Sequence, residues 1–208
     1  MNEPIRILLA DDHPSLRAGL ASILDAQPDL TVVAEAGSGS EAVACFKASR
    51  PDVLIMDLRM PGGDGIEAIR ELIACDPDAK VLVLTTFDNE EDVFSALEAG
   101  ARGYMLKDTT REEIIEAVRQ VNAGQRFLPP TVASRLADRM IRPGLTPREL
   151  DVLRLVSRGR TNKEIASAMF ISEETVKSHM KGLFQKLGVH DRAEAIAVAL
   201  QRGLLRLE

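Results

Sequence analysis

Cysteine is nearly missing from this 208-residue chain, which has only Cys45 and Cys75. Each falls inside a helical pattern, away from any CxxC pair or His-rich stretch, so reduced thiols are expected in place of a disulfide framework or a zinc site. No run approaches the roughly 18 apolar residues of a membrane span. Met1-Asn2-Glu3-Pro4-Ile5-Arg6 lacks the basic-then-apolar order of a secretory leader. A cytoplasmic protein with no membrane attachment is the expectation. Phosphate-binding glycine patterns are missing as well: Gly37-Ser38-Gly39 has no third glycine, and there is no P-loop.

What remains is an ordinary globular composition, 45 % apolar, enough for real cores. The net charge of −6 is unevenly spread. Residues 1–128 carry 12 Lys and Arg against 23 Asp and Glu, whereas residues 129–208 carry 14 against 9. An acidic half and a basic half point to two domains with different partners, the basic one a candidate for nucleic acid.

The pattern of residues 1–124 alternates between strand and helix. Ile5–Ala10 reads as a strand ending on Asp11-Asp12, followed by a helix carrying Leu16, Leu20, Ile23 and Leu24. A strand near Leu30 to Ala36 precedes a helix opened by a Ser38–Glu41 capping box. Val53-Leu54-Ile55-Met56 is a third strand, unbroken in its apolar character and ending on Asp57, as expected when both faces are buried. Asp64 with Glu67 caps the next helix, and Val81–Leu84 leads into Thr85. A helix then stops at Gly100, Gly103–Leu106 leads into Lys107, and Thr109 with Glu112 caps a helix through Ala123. Five strand–helix alternations imply a doubly wound, five-stranded parallel sheet in an α/β domain.

Residues 125–144 read as a linker with Pro129-Pro130 and Pro143-Gly144, in which Val132, Leu136 and Met140 predict a short amphipathic helix. Strand signals vanish in residues 145–208. Thr146-Pro147-Arg148-Glu149 combines a capping box with proline at the first helical position. Helices are expected to Arg158, over Asn162–Met169, from Ser172 to Leu187 and from about Asp191 to Gly203: a small all-α domain of four helices.

In a parallel sheet the residues that end the strands share one edge, where open α/β sheets bind ligands. Asp11, Asp12, Asp57, Thr85 and Lys107 therefore converge. Three carboxylates in one cleft call for a cation, and oxygen ligands with room for water suit Mg²⁺. A carboxylate beside Mg²⁺ can accept a phosphoryl group, with Lys107 neutralising the phosphoryl oxygens and the Thr85 hydroxyl hydrogen-bonding the product. His13, beside the acidic pair, reads as a surface or helix-start residue because it has no His or Cys partner.

Asp11-Asp12, Asp57 with Met60-Pro61-Gly62, Thr85 and Lys107 resemble the receiver domain of two-component response regulators, which is a flavodoxin-like fold. The helical remainder resembles the LuxR-type helix-turn-helix; together they resemble the NarL/FixJ subfamily over nearly the whole chain. The resemblance implies that Asp57 takes phosphate from a sensor histidine kinase. It also implies Mg²⁺ on Asp12, Asp57 and the Arg59 backbone carbonyl, with Asp11 acting through water. Thr85 and Tyr104 would reorient on phosphorylation. Many receivers carry a proline with a cis bond after the lysine; here Asp108 follows.

On the helix from Ser172, Val176, Met180, Leu183 and Leu187 form one stripe, while Lys177, Ser178, Lys181 and Gln185 point the other way. After a short helix and a tight turn at Phe170-Ile171, this is the second helix of a helix-turn-helix, the one that enters the major groove. By resemblance Lys177, Ser178 and Lys181 reach base edges, and Thr161, Asn162, Lys163, Thr175 and Arg192 meet phosphates. Glu173 and Glu174 suit the positive end of the helix dipole. On the last helix Ile196, Leu200 and Leu204 read as core. Val198 and Leu205 read as an outward subunit contact, so a homodimer on double-stranded promoter DNA is expected when the protein is active, with RNA polymerase a further partner. An aspartyl-phosphate phosphatase is disfavoured: Asp57-Leu58-Arg59 lacks the Asp-x-Asp pattern and no cap domain is evident, so no enzyme is expected.

Overall fold

The computed structural model describes residues 3–60, 63–86, 89–141 and 144–205. The chain divides into two compact units, Met1–Asp88 with Asp92–Ser134 and Asn89–Glu91 with Arg135–Glu208.

The first unit is built on β1 (Ile5–Ala10), β2 (Leu30–Ala36), β3 (Val53–Met56), β6 (Val81–Thr85) and β7 (Gly103–Leu106), all parallel and ordered β2-β1-β3-β6-β7. The expected five-stranded sheet is present. A two-residue antiparallel pair, β4 (Arg59–Met60) with β5 (Gly63–Asp64), follows β3 and was not foreseen. The sheet is crossed by α1 (Pro14–Asp25), α2 (Gly39–Ser49), α3 (Gly65–Cys75), α4 (Glu90–Glu98) and α5 (Arg111–Asn122). Alternate residues of the strands supply both faces. Ile7, Leu9, Val53, Ile55, Leu82, Leu84 and Met105 pack with Leu20 and Leu24 of α1 and Ile114, Ile115, Val118 and Val121 of α5. Leu8, Leu54, Met56, Val81, Val83 and Tyr104 are equally buried on the other side, as are Val43 and Phe46 of α2, Ile66, Ile69 and Leu72 of α3 and Val93 of α4. Each such residue contributes about 1.5 to 3 kcal/mol through the area it removes from water, so the sheet holds the strand ends rigidly.

Two caps differ from expectation. α5 is capped by Thr110 with Glu113, not by Thr109 with Glu112: Thr110 Oγ1 accepts from the Glu113 N–H at 3.3 Å, and Glu113 Oε2 accepts from the Thr110 N–H at 3.1 Å. The Thr-Thr and Glu-Glu pairs offer the box in two registers. The Thr109 N–H is taken by Leu106 O at 3.1 Å, which leaves the later register. Ser38 accepts from the Glu41 N–H as expected, but Glu41 reaches back to the Gly37 N–H, not to that of Ser38. Pro61, Gly62 and Pro143 lie outside the described residues, as do the side chains of Asp64 and Met140. No described peptide bond is cis.

The sheet continues to Phe127, which bridges to Gly103 and packs on the α1/α5 side, three residues into the stretch read as linker. Beyond it α6 (Pro130–Ile141) forms, with Val132 buried.

The second unit holds the four expected helices, α7 (Pro147–Ser157), α8 (Asn162–Met169), α9 (Glu173–Leu187) and α10 (Arg192–Gln201). Leu153, Leu183, Leu187, Val189, Ala195, Ala199 and Leu205 form one core cluster; Val152, Val156, Ile165, Ala166, Val176 and Met180 form another. Leu205 and Val198 thus belong to the core side, against the expectation of an outward subunit contact. α10 ends at Gln201, and Gly203 at φ +78° turns the chain back, so the Leu204 N–H donates to Ala199 O. A helical wheel extended past that turn assigns Leu205 to the wrong side. No helix among the described residues is long and apolar enough to cross a membrane.

Candidate functional site

The ends of β1, β3, β6 and β7 meet at one edge of the sheet. Asp57, 4 % exposed, is fixed by its own N–H donating to Ala10 O at 2.8 Å. Its Oδ1 accepts from the Arg59 N–H at 3.2 Å, and its Oδ2 lies 2.6 Å from Lys107 Nζ. The same ammonium is 2.6 Å from Asp11 Oδ2, so Lys107 bridges two carboxylates with its side chain 9 % exposed. Burial pushes the Lys107 pKa down; the Asp11 and Asp57 carboxylates outweigh it and hold the pKa above the ordinary lysine value. The Lys107 N–H donates to Thr85 O at 2.8 Å, which ties this residue to the end of β6.

Asp11 Oδ1 accepts from the His13 N–H at 2.8 Å, and Arg17 Nη1 donates to Asp11 O at 2.5 Å. His13 opens α1 as its N-cap residue without a side-chain capping bond, and its ring is 66 % exposed, as a helix-start residue should be. Its Nδ1 nonetheless lies 2.8 Å from Asp12 Oδ1. Asp11, Asp12, His13 and Asp57 each bring one donor atom within 4.8 Å of the others. That oxygen-rich set, with Asp12 still reachable by solvent, fits a hard divalent cation.

Thr85 is fully buried, and its Oγ1 finds no hydrogen-bond partner among the described residues. An orphaned hydroxyl on a strand end beside Asp57 is an unused donor for an anion. Tyr104 is fully buried on the same side of the sheet as Thr85, by strand alternation from the Val83–Tyr104 and Thr85–Leu106 pairs. Gly65 closes the loop over the site: a Cβ there would lie 2.7 Å from Asp57 O and from Leu58 Cα. Sequence reading missed one member of this neighbourhood, Asp92. It is buried on α4 and pairs with the Arg59 guanidinium at 2.9 Å, but in Glu90-Glu91-Asp92 nothing marks the third acid as the buried one.

In the second unit, α8 ends at Phe170 in the left-handed region, φ +56°, and Ser172 caps α9 by accepting from the Thr175 N–H at 3.1 Å. Lys177, Ser178 and Lys181 are exposed together on α9, and Lys163 is exposed on α8. The other proposed contacts are engaged locally. Thr161 caps α8 in a full box with Glu164. Arg192 donates to Arg160 O at 2.8 Å and to Asn162 Oδ1 at 3.3 Å, and the Thr175 hydroxyl is 2.8 Å from that of Ser172.

Family models agree with both units: residues 7–119 match the response regulator receiver domain, and residues 143–199 match bacterial regulatory proteins of the luxR family. The transcriptional regulatory protein LiaR of Bacillus subtilis is 42 % identical, over 97 % of this chain and 99 % of its own length. Among solved structures, RcsB of Salmonella enterica serovar Typhimurium, bound to a promoter in the presence of phosphomimetic BeF3-, is similar at TM-score 0.75 and 28 % identity. That match covers 97 % of this chain and 100 % of the other. A structure of two RcsB dimers bound to two parallel DNAs is similar at TM-score 0.73 and 28 % identity, covering 96 % and 99 % of the two chains. With a receiver domain followed by a luxR-type domain along nearly its full length, the chain belongs to the NarL/FixJ-type response regulators, the DNA-binding transcriptional regulators of two-component systems.

Proposed function

We propose that Asp57 is the phosphoacceptor and a sensor histidine kinase the donor. The Asp57 carboxylate attacks phosphorus on the kinase phosphohistidine, the P–N bond breaks, and the imidazole leaves with a proton. The observation that carries this reading is the Lys107 ammonium, 2.6 Å from both Asp57 Oδ2 and Asp11 Oδ2: a fixed positive charge where phosphoryl oxygens arrive. Asp12, Asp57 and the Arg59 carbonyl would hold Mg²⁺, with Asp11 acting through water; once bound, the ion neutralises charge on the transferring group. Thr85 Oγ1 then gains the partner it lacks by donating to the phosphoryl group, and Tyr104 on the same side of the sheet responds.

The response is promoter binding through α9. Lys177, Ser178 and Lys181 read base edges, while Lys163, Thr161, Asn162, Thr175 and Arg192 meet or orient toward phosphates. A homodimer on DNA is supported by the RcsB dimers, and contact with RNA polymerase follows from promoter occupancy. The protein turns over no substrate beyond its own phosphoryl group.

Intact mass after incubation with a small phosphodonor and Mg²⁺ tests the site. The wild type should gain about 80 Da, one phosphoryl group, and Asp57→Asn should not. A full gain in the variant moves the phosphoacceptor elsewhere.

A further inference from the structure

Near the middle of α9 stands Gly182, a residue that weakens a helix interior by its backbone freedom. The reason lies on the neighbouring helix: a Cβ at position 182 would be 2.7 Å from Glu149 Oε1. Glu149 sits in the first turn of α7, 7 % exposed, and is the one buried acid among the described residues of this unit. Its Oε2 accepts from the Thr146 N–H at 2.7 Å, from Thr146 Oγ1 at 3.0 Å and from Lys186 Nζ at 2.7 Å. One carboxylate therefore closes the cap of α7, bonds α9 at Lys186 and lies close against it one turn earlier, at Gly182.

At 100° per residue, Lys177, Ser178 and Lys181 share one side of α9, and Val176, Met180, Leu183 and Leu187 share the side facing the core. Gly182 and Lys186 fall on the flank between them. Apolar packing is non-directional and tolerates a small roll of the helix, whereas a charge-assisted bond to a carboxylate that is itself held by two further donors does not.

We infer that Glu149 is a positioning residue for DNA reading: clamped by Thr146 and Lys186 and seated against Gly182, it sets the roll of α9 and hence which base edges Lys177, Ser178 and Lys181 reach. This rests on α9 being the reading helix. Burial pushes the Glu149 pKa up, while Lys186 and Thr146 outweigh it and hold it below the ordinary glutamate value, so the carboxylate is charged wherever the protein works.

The test uses the full-length protein, a duplex it selects from a random pool, and a scrambled duplex of equal length. Gly182→Ala should weaken binding to the selected duplex by about tenfold, the loss of one good base contact, and leave the scrambled duplex nearly unchanged. Glu149→Gln, which keeps the side-chain volume, should do the same. The double variant Glu149→Ala/Gly182→Ala should bind no worse than Glu149→Ala alone, because the added methyl then meets no carboxylate. Equal losses on both duplexes, additive losses in the double variant, or an effect seen only as a lower melting temperature would reduce Glu149 to a structural cap and overturn the proposal. The triple variant Lys177→Ala/Ser178→Ala/Lys181→Ala separates the underlying reading: if it leaves the preference for the selected duplex intact, α9 is not the reading helix and the proposal falls with it.

Discussion

Lys107 and Lys177 carry the same charge in opposite circumstances. The Lys107 side chain is 9 % exposed and bridges two buried carboxylates, whereas that of Lys177 is 60 % exposed, with Glu174 Oε2 3.8 Å away. In the receiver, charge is held in burial, where each partner is needed because the alternative is an unpaired carboxylate in a low dielectric. On α9, charge is displayed to water, and the partner proposed for it lies outside the molecule. A stored charge is coupled to folding; a displayed one is coupled to binding.

The largest effect expected from this contrast is on stability. Lys107→Ala, with divalent cations chelated, should lower the unfolding free energy of the receiver by about 3 kcal/mol, since it leaves Asp11 and Asp57 facing each other uncompensated. Urea unfolding would measure it, and added Mg²⁺ should recover part of the loss by supplying the missing positive charge. The pKa of Lys107 is raised on folding, so its stabilisation is complete below the ordinary lysine range and is lost as pH rises through the raised value. The gap between wild type and variant should therefore close at strongly alkaline pH. A gap that widens there would mean that the Lys107 bridge is not what the substitution removes.

The pocket was more legible in the sequence than the surface. Apolar runs ending on Asp11, Asp57, Thr85 and Lys107, combined with parallel connections, place those residues at one edge whatever the loops do. Burial of individual acids was not legible: Glu149 was expected as a capping acid and Asp92 carried no mark at all, and tertiary packing alone distinguishes them as buried from neighbours such as Glu90 or Arg148. Leu205 failed for a related reason, because periodicity holds only while the helix lasts and Gly203 ends it. On α9 the exposed face followed from spacing. What each exposed residue contacts did not, since exposure is the same for a base reader, a phosphate contact and a bystander.

The intermediate effect is on recognition. Lys181→Ala should reduce the preference for specific over random DNA by about 1 to 3 kcal/mol and change stability by less than about 0.5 kcal/mol. Paired binding and unfolding measurements on one preparation decide it. Equal losses on both DNAs would make Lys181 a phosphate contact, and a stability loss approaching that of Lys107→Ala would break the distinction between stored and displayed charge.

The smallest effect concerns Thr161, which stands between the two cases. It is exposed and was read as a phosphate contact, yet its Oγ1 accepts from the Glu164 N–H at 3.3 Å and donates to Glu164 Oε2 at 2.9 Å, while Glu164 accepts from the Thr161 N–H at 2.7 Å. Those bonds hold the Glu164 pKa below its ordinary value. Thr161→Ala should therefore cost about 1 kcal/mol of unfolding free energy, the usual worth of an N-cap, and Thr161→Ser should restore it. A pure phosphate contact predicts otherwise: unchanged stability and weaker binding to specific and random DNA alike. If Thr161→Ala lowers stability and leaves DNA affinity alone, Thr161 orients α8 and does not itself touch the duplex, and the phosphate contacts of this domain reduce to residues such as Lys163 whose charged ends are free to reach out.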